Sequence, residues 1–132
     1  MIGLDTNILL RLFFKDNPEQ SEKVAALIRQ LPEVGPGYVN CITLMEFAWY
    51  LRQRGKLSRS EVMEGISDLL DTQDIIMEDE HLIEATLAEM ANSNSEFPDV
   101  FIALRNGNAG CIATKTLDQK AAARIPGMEL LT

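Results

Sequence analysis

The segment Ile2-Gly3-Leu4-Asp5-Thr6-Asn7 decides the fold, because a short apolar run in it ends abruptly on three polar residues. The apolar part has the composition of a buried strand. The three polar residues belong to the types that cap the N-terminus of a helix. The segment therefore predicts a buried first strand that is followed directly by a short helix over residues 8–14.

Strands and helices alternate in the same way along the rest of the chain. Pro98 suits the first turn of a helix, and Ser58 with Glu61 has the form of a capping box. Such alternation predicts an α/β fold with three layers, α/β/α, in which helices cover both faces of a mainly parallel sheet. Apolar spacing and end signals predict helices at 18–31, 42–54, 58–70, 80–92, 98–106 and 118–124, strands at 38–40, 74–77, 111–114 and 128–131, and a loop at 32–37.

The length of 132 residues fits one domain, and residues 1–132 show no internal repeat, low-complexity tract or linker. The chain has no signal-peptide pattern and no apolar run long enough for a membrane span, so we expect a cytoplasmic protein. Cys41 and Cys111 are too few for a disulfide framework. Buried free thiols are the preferred interpretation over a disulfide or a zinc site.

Three acids lie where an open parallel sheet binds its ligands, beyond the carboxyl ends of the strands. Asp5 closes the first strand, Asp118 follows the strand predicted at 111–114, and Asp99 lies in the first turn of a helix. Each of them also has a simpler explanation, as a helix cap or as a charge that complements a helix dipole. For any one of these acids taken singly, capping is the better interpretation.

Glu46 is harder to explain as a structural residue, because it lies in mid-helix among apolar residues such as Ile42 and Trp49. Burying a lone carboxylate is costly, so this side chain either reaches the surface or faces a cation that other acids share. Several carboxylates without a histidine partner suit a hard cation, Mg²⁺ or Mn²⁺. Such a site supports phosphodiester hydrolysis, and Asn7 and Thr116 are close enough in sequence to hydrogen-bond a ligand.

The chain as a whole resembles the PIN-domain ribonucleases, and among them the VapC-type toxins of toxin–antitoxin pairs. The motifs that carry the resemblance are Ile2-Gly3-Leu4-Asp5-Thr6-Asn7-Ile8-Leu9, Thr43-Leu44-Met45-Glu46-Phe47, Phe97-Pro98-Asp99-Val100-Phe101-Ile102-Ala103 and Thr114-Lys115-Thr116-Leu117-Asp118.

The resemblance implies a metal-dependent endoribonuclease that forms a homodimer and is inhibited by a cognate antitoxin protein. It implies that Asp5, Glu46, Asp99 and Asp118 are the catalytic residues and the ligands of Mg²⁺ or Mn²⁺. It implies that Asn7 and Thr116 are supporting polar groups. Many relatives have Asp where this chain has Glu96, and the role of Glu96 as an auxiliary ligand stays open.

Two other functions fit parts of the pattern. One is a catalytically silent binding module of the same fold, against which the intact set of four acids argues. The other is a receiver-type phosphoacceptor domain, which would need an acidic pair after the first strand, where this chain has only Asp5. A phosphatase of the Asp-x-Asp type is excluded because Asn7 occupies the second position, and no glycine-rich phosphate loop is present.

The net charge of −8 argues against a nucleic-acid partner until its distribution is considered. Residues 60–96 hold eleven acids and no Lys or Arg, which leaves nine acids and all twelve basic residues elsewhere. We therefore expect RNA to approach over the basic part, with segment 60–96 facing away. Trp49 and Tyr50 are candidates for base stacking, although core or dimer contacts are the commoner role, and His81 is expected on the solvated surface. The candidates for phosphate contacts are Arg11, Lys15, Arg52, Arg54, Lys56, Arg105, Lys115 and Lys120.

Overall fold

All paired strands of the chain run parallel in the computed structural model, which describes residues Met1–Thr132. The chain divides into two units, Met1–Glu78 and Asp79–Thr132, and each unit has its own sheet. Parallel partners need a long connection, which helices supply in both units. None of these helices combines the length and the apolar composition that crossing a membrane requires.

The first unit has three strands in the order β1-β2-β3, so consecutive strands are neighbours. The register pairs Gly37 of the central strand with Ile2 on one side and with Ile75 on the other. The elements of this unit are β1 (Ile2–Gly3), α1 (Thr6–Phe13), α2 (Pro18–Val34), β2 (Gly37–Val39), α3 (Cys41–Gln53), α4 (Arg59–Asp71) and β3 (Ile75–Met77).

The core of the first unit lies where α1 packs on α2 and α3, and where α3 packs on α4. The rings of Phe13 and Phe47 meet with their centroids 5.2 Å apart, and Phe47 is fully buried. Gly37 lets the chain after β1 come close, because a Cβ at this position would lie 2.7 Å from Cδ1 of Leu4. A larger residue at position 37 would therefore force the buried side chain of Leu4 to shift.

The second unit pairs two parallel strands, with Thr114 opposite Met128. Its longest helices pack on each other, and the rings of Phe97 and Phe101 lie 5.7 Å apart. Gly127 has a φ of +87°, a conformation that favours glycine, in the turn before the last strand. The elements are α5 (Glu80–Asn92), α6 (Phe97–Asn108), β4 (Thr114–Thr116), α7 (Gln119–Arg124) and β5 (Met128–Leu130).

Helix α2 runs through Pro32 to Val34, so the prediction of a loop at 32–37 was wrong for its first residues. Proline lacks an N–H donor and leaves the carbonyl group four residues earlier without its helical partner. The helix survives this loss and ends at Gly35, which has a φ of +113° and donates its N–H to Leu31 O at 2.9 Å. A glycine of positive φ, rather than the proline, therefore ends the helix.

The strand predicted at 111–114 was also placed wrongly, because β4 begins only at Thr114. Apolar composition favoured Cys111 and Ile112, but both are exposed, and Thr114 N–H starts the pairing by donating to Gly127 O at 2.7 Å. Both cysteines are free, as expected. Cys41 is buried, whereas the prediction of a buried Cys111 was wrong. The other predicted elements lie within a few residues of the observed ones.

The predicted capping box is formed at the start of α4. Ser58 Oγ accepts the N–H of Glu61 at 3.1 Å, and Glu61 Oε1 accepts the N–H of Ser58 at 3.0 Å. Hydrogen bonding with Ser58 lowers the pKa of Glu61. The backbone of Ser58 has the larger effect, and its side chain has the smaller one. The stabilising effect of this carboxylate is therefore present above its unfolded pKa and is lost as the pH falls through the folded value.

We expect Ser58→Ala to lower the free energy of unfolding by about 1 kcal/mol, because the N–H of Glu61 loses its acceptor. Urea denaturation at neutral pH measures the change. Ser60→Ala, which removes an exposed hydroxyl group from the same turn, is the matched control. Equal stabilities of the two variants would show that the box contributes nothing.

Candidate active site

Two of the four predicted carboxylates belong to the first unit, and Thr6 connects them. Oδ1 of Asp5, the N-cap residue of α1, accepts the N–H of Thr6 at 2.7 Å. The hydroxyl group of Thr6 donates to Oε1 of Glu46 at 3.2 Å. A usual N-cap side chain accepts an N–H group two or three residues further along, so Asp5 is not engaged as a normal cap. The structure thus brings Asp5 and Glu46 to one place.

The start of α3 fixes the position of Glu46. Asn40 is the N-cap residue, and its Oδ1 accepts the N–H of Thr43 at 2.9 Å. A second side chain, Glu78 after β3, accepts the N–H of Cys41 at 2.8 Å. Two side-chain acceptors from different parts of the unit therefore satisfy two of the free N–H groups at this helix end.

Glu46 lies on the exposed face of α3, opposite a buried face that includes Leu44, Phe47 and Leu51. One face of the helix therefore lies against solvent, and the carboxylate of Glu46 is on that face. Glu46 therefore reaches the surface, which was one of the two explanations that the sequence left open. The bond from Thr6 holds this exposed carboxylate beside Asp5, so a shared cation remains compatible with it.

In the second unit, two acids act on the charge of a third, Asp99. Asp99 lies in the first turn of α6, Glu96 is the N-cap residue of that helix, and Asp118 is the N-cap residue of α7. Burial raises the pKa of Asp99, and the charges of Asp118 and Glu96 raise it further. Like charges that are close enough to shift a pKa form a cluster that a cation would stabilise. The donors are all carboxylate oxygens, which suits Mg²⁺ or Mn²⁺.

Asp118 also acts as a helix cap, as the simpler explanation held. Its Oδ1 accepts the N–H groups of Lys120 at 2.9 Å and of Ala121 at 3.1 Å. Both bonds use the same oxygen, which fixes the orientation of the carboxylate. Thr116 Oγ1 accepts the N–H of Asp118 at 3.0 Å, so this residue orients the backbone of the acid. Asn7 is exposed in the first turn of α1.

Two residues matter more than the sequence indicated. Glu96 was left as an open question, and the structure places its charge close enough to affect Asp99. Thr6 was not among the supporting residues, although it binds the carboxylates of both Asp5 and Glu46. Its place directly after Asp5 was the only available signal, because its second partner is 40 residues further along.

We expect Asp99→Asn to raise the free energy of unfolding of the metal-free protein at neutral pH. The pKa of Asp99 is raised in the folded state, so its contribution to stability is full below the unfolded pKa and is lost as the pH rises through the folded value. The advantage of the variant over the parent should therefore grow with pH across that window and then level off.

Urea denaturation in the presence of a chelator, at a series of pH values, measures this difference. Asp68→Asn removes an exposed acid of α4 and is the matched control. A destabilised Asp99→Asn variant at every pH would contradict the repulsion that we describe.

The comparison with known protein families agrees with this geometry. Residues 2–124 match the PIN domain, and the matched range includes all four predicted carboxylates. No curated protein matches the chain. The match confirms the fold class predicted from the sequence, an α/β/α arrangement of three layers with a mainly parallel sheet. PIN domains are generally metal-dependent nucleases, which supports a hydrolase at the level of the family. The chain belongs to the PIN-domain family.

Proposed function

We propose that the protein is a metal-dependent endoribonuclease that hydrolyses RNA phosphodiester bonds. The observation that carries the proposal is the grouping of Asp99 with Glu96 and Asp118 at two helix N-termini, where burial and the two neighbouring carboxylates raise the pKa of Asp99. Acids whose pKa is perturbed by burial and by neighbouring charges are typical of functional sites. The family match over residues 2–124 supports the same reaction class.

Asp5, Glu46, Asp99 and Asp118 are the proposed catalytic residues and ligands of Mg²⁺ or Mn²⁺. A divalent cation bound there would supply Lewis-acid polarisation of the scissile phosphate. The chain itself supplies orientation, because Thr6 holds Glu46 and two N–H groups of α7 hold Asp118. Such outer contacts set the direction of a ligand and reduce the entropy that binding would cost.

The four sequence motifs support a narrower proposal, a VapC-type toxin that acts in the cytoplasm as the single domain 1–132. Its proposed partners are a second copy of the chain and a cognate antitoxin protein. The antitoxin would offer an Arg to the carboxylates, since a guanidinium group matches a carboxylate through two parallel hydrogen bonds. The raised pKa of Asp99 supports this idea, because a cluster of repelling carboxylates is stabilised by any cation that reaches it.

We expect Asp5→Asn and Asp99→Asn each to reduce RNA cleavage by at least about 100-fold, the upper end of what loss of an outer-shell contact costs a metal site. Cleavage of a labelled single-stranded RNA in Mg²⁺ or Mn²⁺, with and without chelator, measures the effect. Asp71→Asn, which changes an exposed acid of α4, is the control and should keep full activity. Cleavage that persists in chelator, or full activity of Asp5→Asn, would refute the proposal. A silent module would show neither cleavage nor thermal stabilisation by metal.

The variant Thr6→Val tests whether Thr6 positions the carboxylate of Glu46. Loss of the hydroxyl group leaves Glu46 free to rotate, so we expect metal affinity to fall by about 10- to 100-fold. Thr6→Ser keeps the donor and should restore most of the affinity. Titration of activity with Mg²⁺ separates a weaker metal site from a slower reaction, because saturating metal should recover much of the rate in the valine variant. Identical metal dependence of the Val and Ser variants would exclude this role.

A further inference from the structure

The outward face of α3 carries an aromatic side chain that the core does not use. Ile42, Glu46, Trp49 and Gln53 are spaced so that they form one line along the helix, and all four are exposed. The exposed fraction is 74% for Ile42 and 52% for Trp49. Trp49 is the only tryptophan of the chain and lies one turn beyond the proposed metal ligand Glu46.

Two exposed cations follow the C-terminal end of the same helix, and a third belongs to a segment that contacts it. Arg54 is the C-cap residue, and Lys56 follows in a left-handed conformation with a φ of 57°. Gly55 between them packs on the segment that precedes Lys15, because a Cβ at Gly55 would lie 2.8 Å from the ring of Phe14. The exposed cations Lys15, Arg54 and Lys56 therefore belong to two segments in contact.

Four of the other basic candidates are already engaged, which narrows the set of phosphate contacts predicted from the sequence. Arg11 pairs with Asp16. Arg52 is half-buried and donates to Leu57 O at 3.1 Å, which closes the turn after α3. In the second unit, Arg105 lies 3.9 Å from Asp79, and Lys115 lies 2.8 Å from Glu129.

We propose that a single-stranded RNA substrate crosses the outward face of α3 at Glu46 and Trp49 and continues past the end of the helix to Lys56. A base stacks on Trp49, and the phosphates beyond it contact Lys15, Arg54 and Lys56. Glu46 and Arg54 are eight residues apart, about 12 Å along the helix axis, with Trp49 between them. The inference rests on the proposed nuclease function, because the RNA is taken to lead away from the proposed metal ligands Asp5 and Glu46.

The arrangement fits RNA better than a second protein surface. A protein surface that covered both Ile42 and Trp49 without offering a cation would bury the carboxylate of Glu46 uncompensated, which is costly. The centre of a protein interface is also depleted of charged residues. An RNA strand would leave Glu46 free to bind a divalent metal ion, and its phosphates would contact the basic side chains at the helix end. An aromatic ring accepts any base, because every base has a face that stacks.

The single tryptophan makes the proposal directly measurable. We expect saturable quenching of Trp49 fluorescence when single-stranded RNA is added in Ca²⁺, with intact RNA verified on a gel after each titration. Fluorescence anisotropy of labelled RNA gives the affinity independently. Binding that leaves the tryptophan emission unchanged would overturn the proposal, because the strand would then not cross this face.

Substitutions then separate stacking from charge. Trp49→Ala should weaken RNA binding by about 5- to 100-fold, while Trp49→Phe, which retains a ring, should lose much less. Arg54→Gln with Lys56→Gln should lower the salt dependence of binding by about 0.7 for each lost phosphate contact. Lys23→Gln with Arg29→Gln on α2 makes the same change of charge and is the control. Equal salt slopes for the two double variants would show that Arg54 and Lys56 do not contact the RNA phosphates.

The outcomes also distinguish this inference from the proposed function. Metal-dependent cleavage with no response of Trp49 overturns the path and leaves the nuclease intact. Quenching by RNA without cleavage supports the path and overturns the nuclease. A change in tryptophan emission with protein concentration, in the absence of RNA, would show that a second copy covers the face, and the proposal would then be wrong.

Discussion

The parallel pairing of β2 with both of its neighbours is the constraint on which the first unit depends. β2 has only three residues, so the ladder continues through flanking groups, with Leu4 N–H donating to Tyr38 O and Glu78 N–H donating to Val39 O. Parallel strands end at the same edge of a sheet. The residues directly after the three strands therefore lie along one edge, and their polar side chains lie beside helix N-termini. This edge is where Asp5, Asn40 and Glu78 are found.

Capping and ligand binding compete for the same side chains at such an edge, and the structure resolves the competition differently at each acid. Glu78 is committed to the start of α3, and one oxygen of Asp118 is committed to α7. The side chain of Asp5 accepts the N–H of its neighbour, and burial together with the charges of Asp118 and Glu96 disfavours the ionised form of Asp99. The protein thus keeps some carboxylates in a state that costs stability, which is common where charge is needed for function.

Local patterns in the sequence were sufficient for the fold class and for most of the helices, since apolar spacing and caps act over a few residues. Ser58 and Glu61 form their box as predicted because the motif is complete within one turn. The start of β4 was missed because the pairing partner of Thr114 lies beyond another helix, and apolar composition favoured the exposed Ile112 instead. The acids were recognisable from their motifs, whereas the bond between Thr6 and Glu46 and the ion pairs of Arg105 and Lys115 depend on distant parts of the chain.

The unequal burial of the two cysteines has a practical consequence for work on the purified protein. Cys41 is shielded within α3, whereas Cys111 is exposed in the segment between α6 and β4. An alkylating reagent therefore meets one reactive position, which permits attachment of a single dye or cross-linker without any engineering. The same thiol joins two molecules covalently once air oxidises it. A band of double mass on a gel without reductant consequently reports oxidation at Cys111, and native mass must be measured in a reducing buffer.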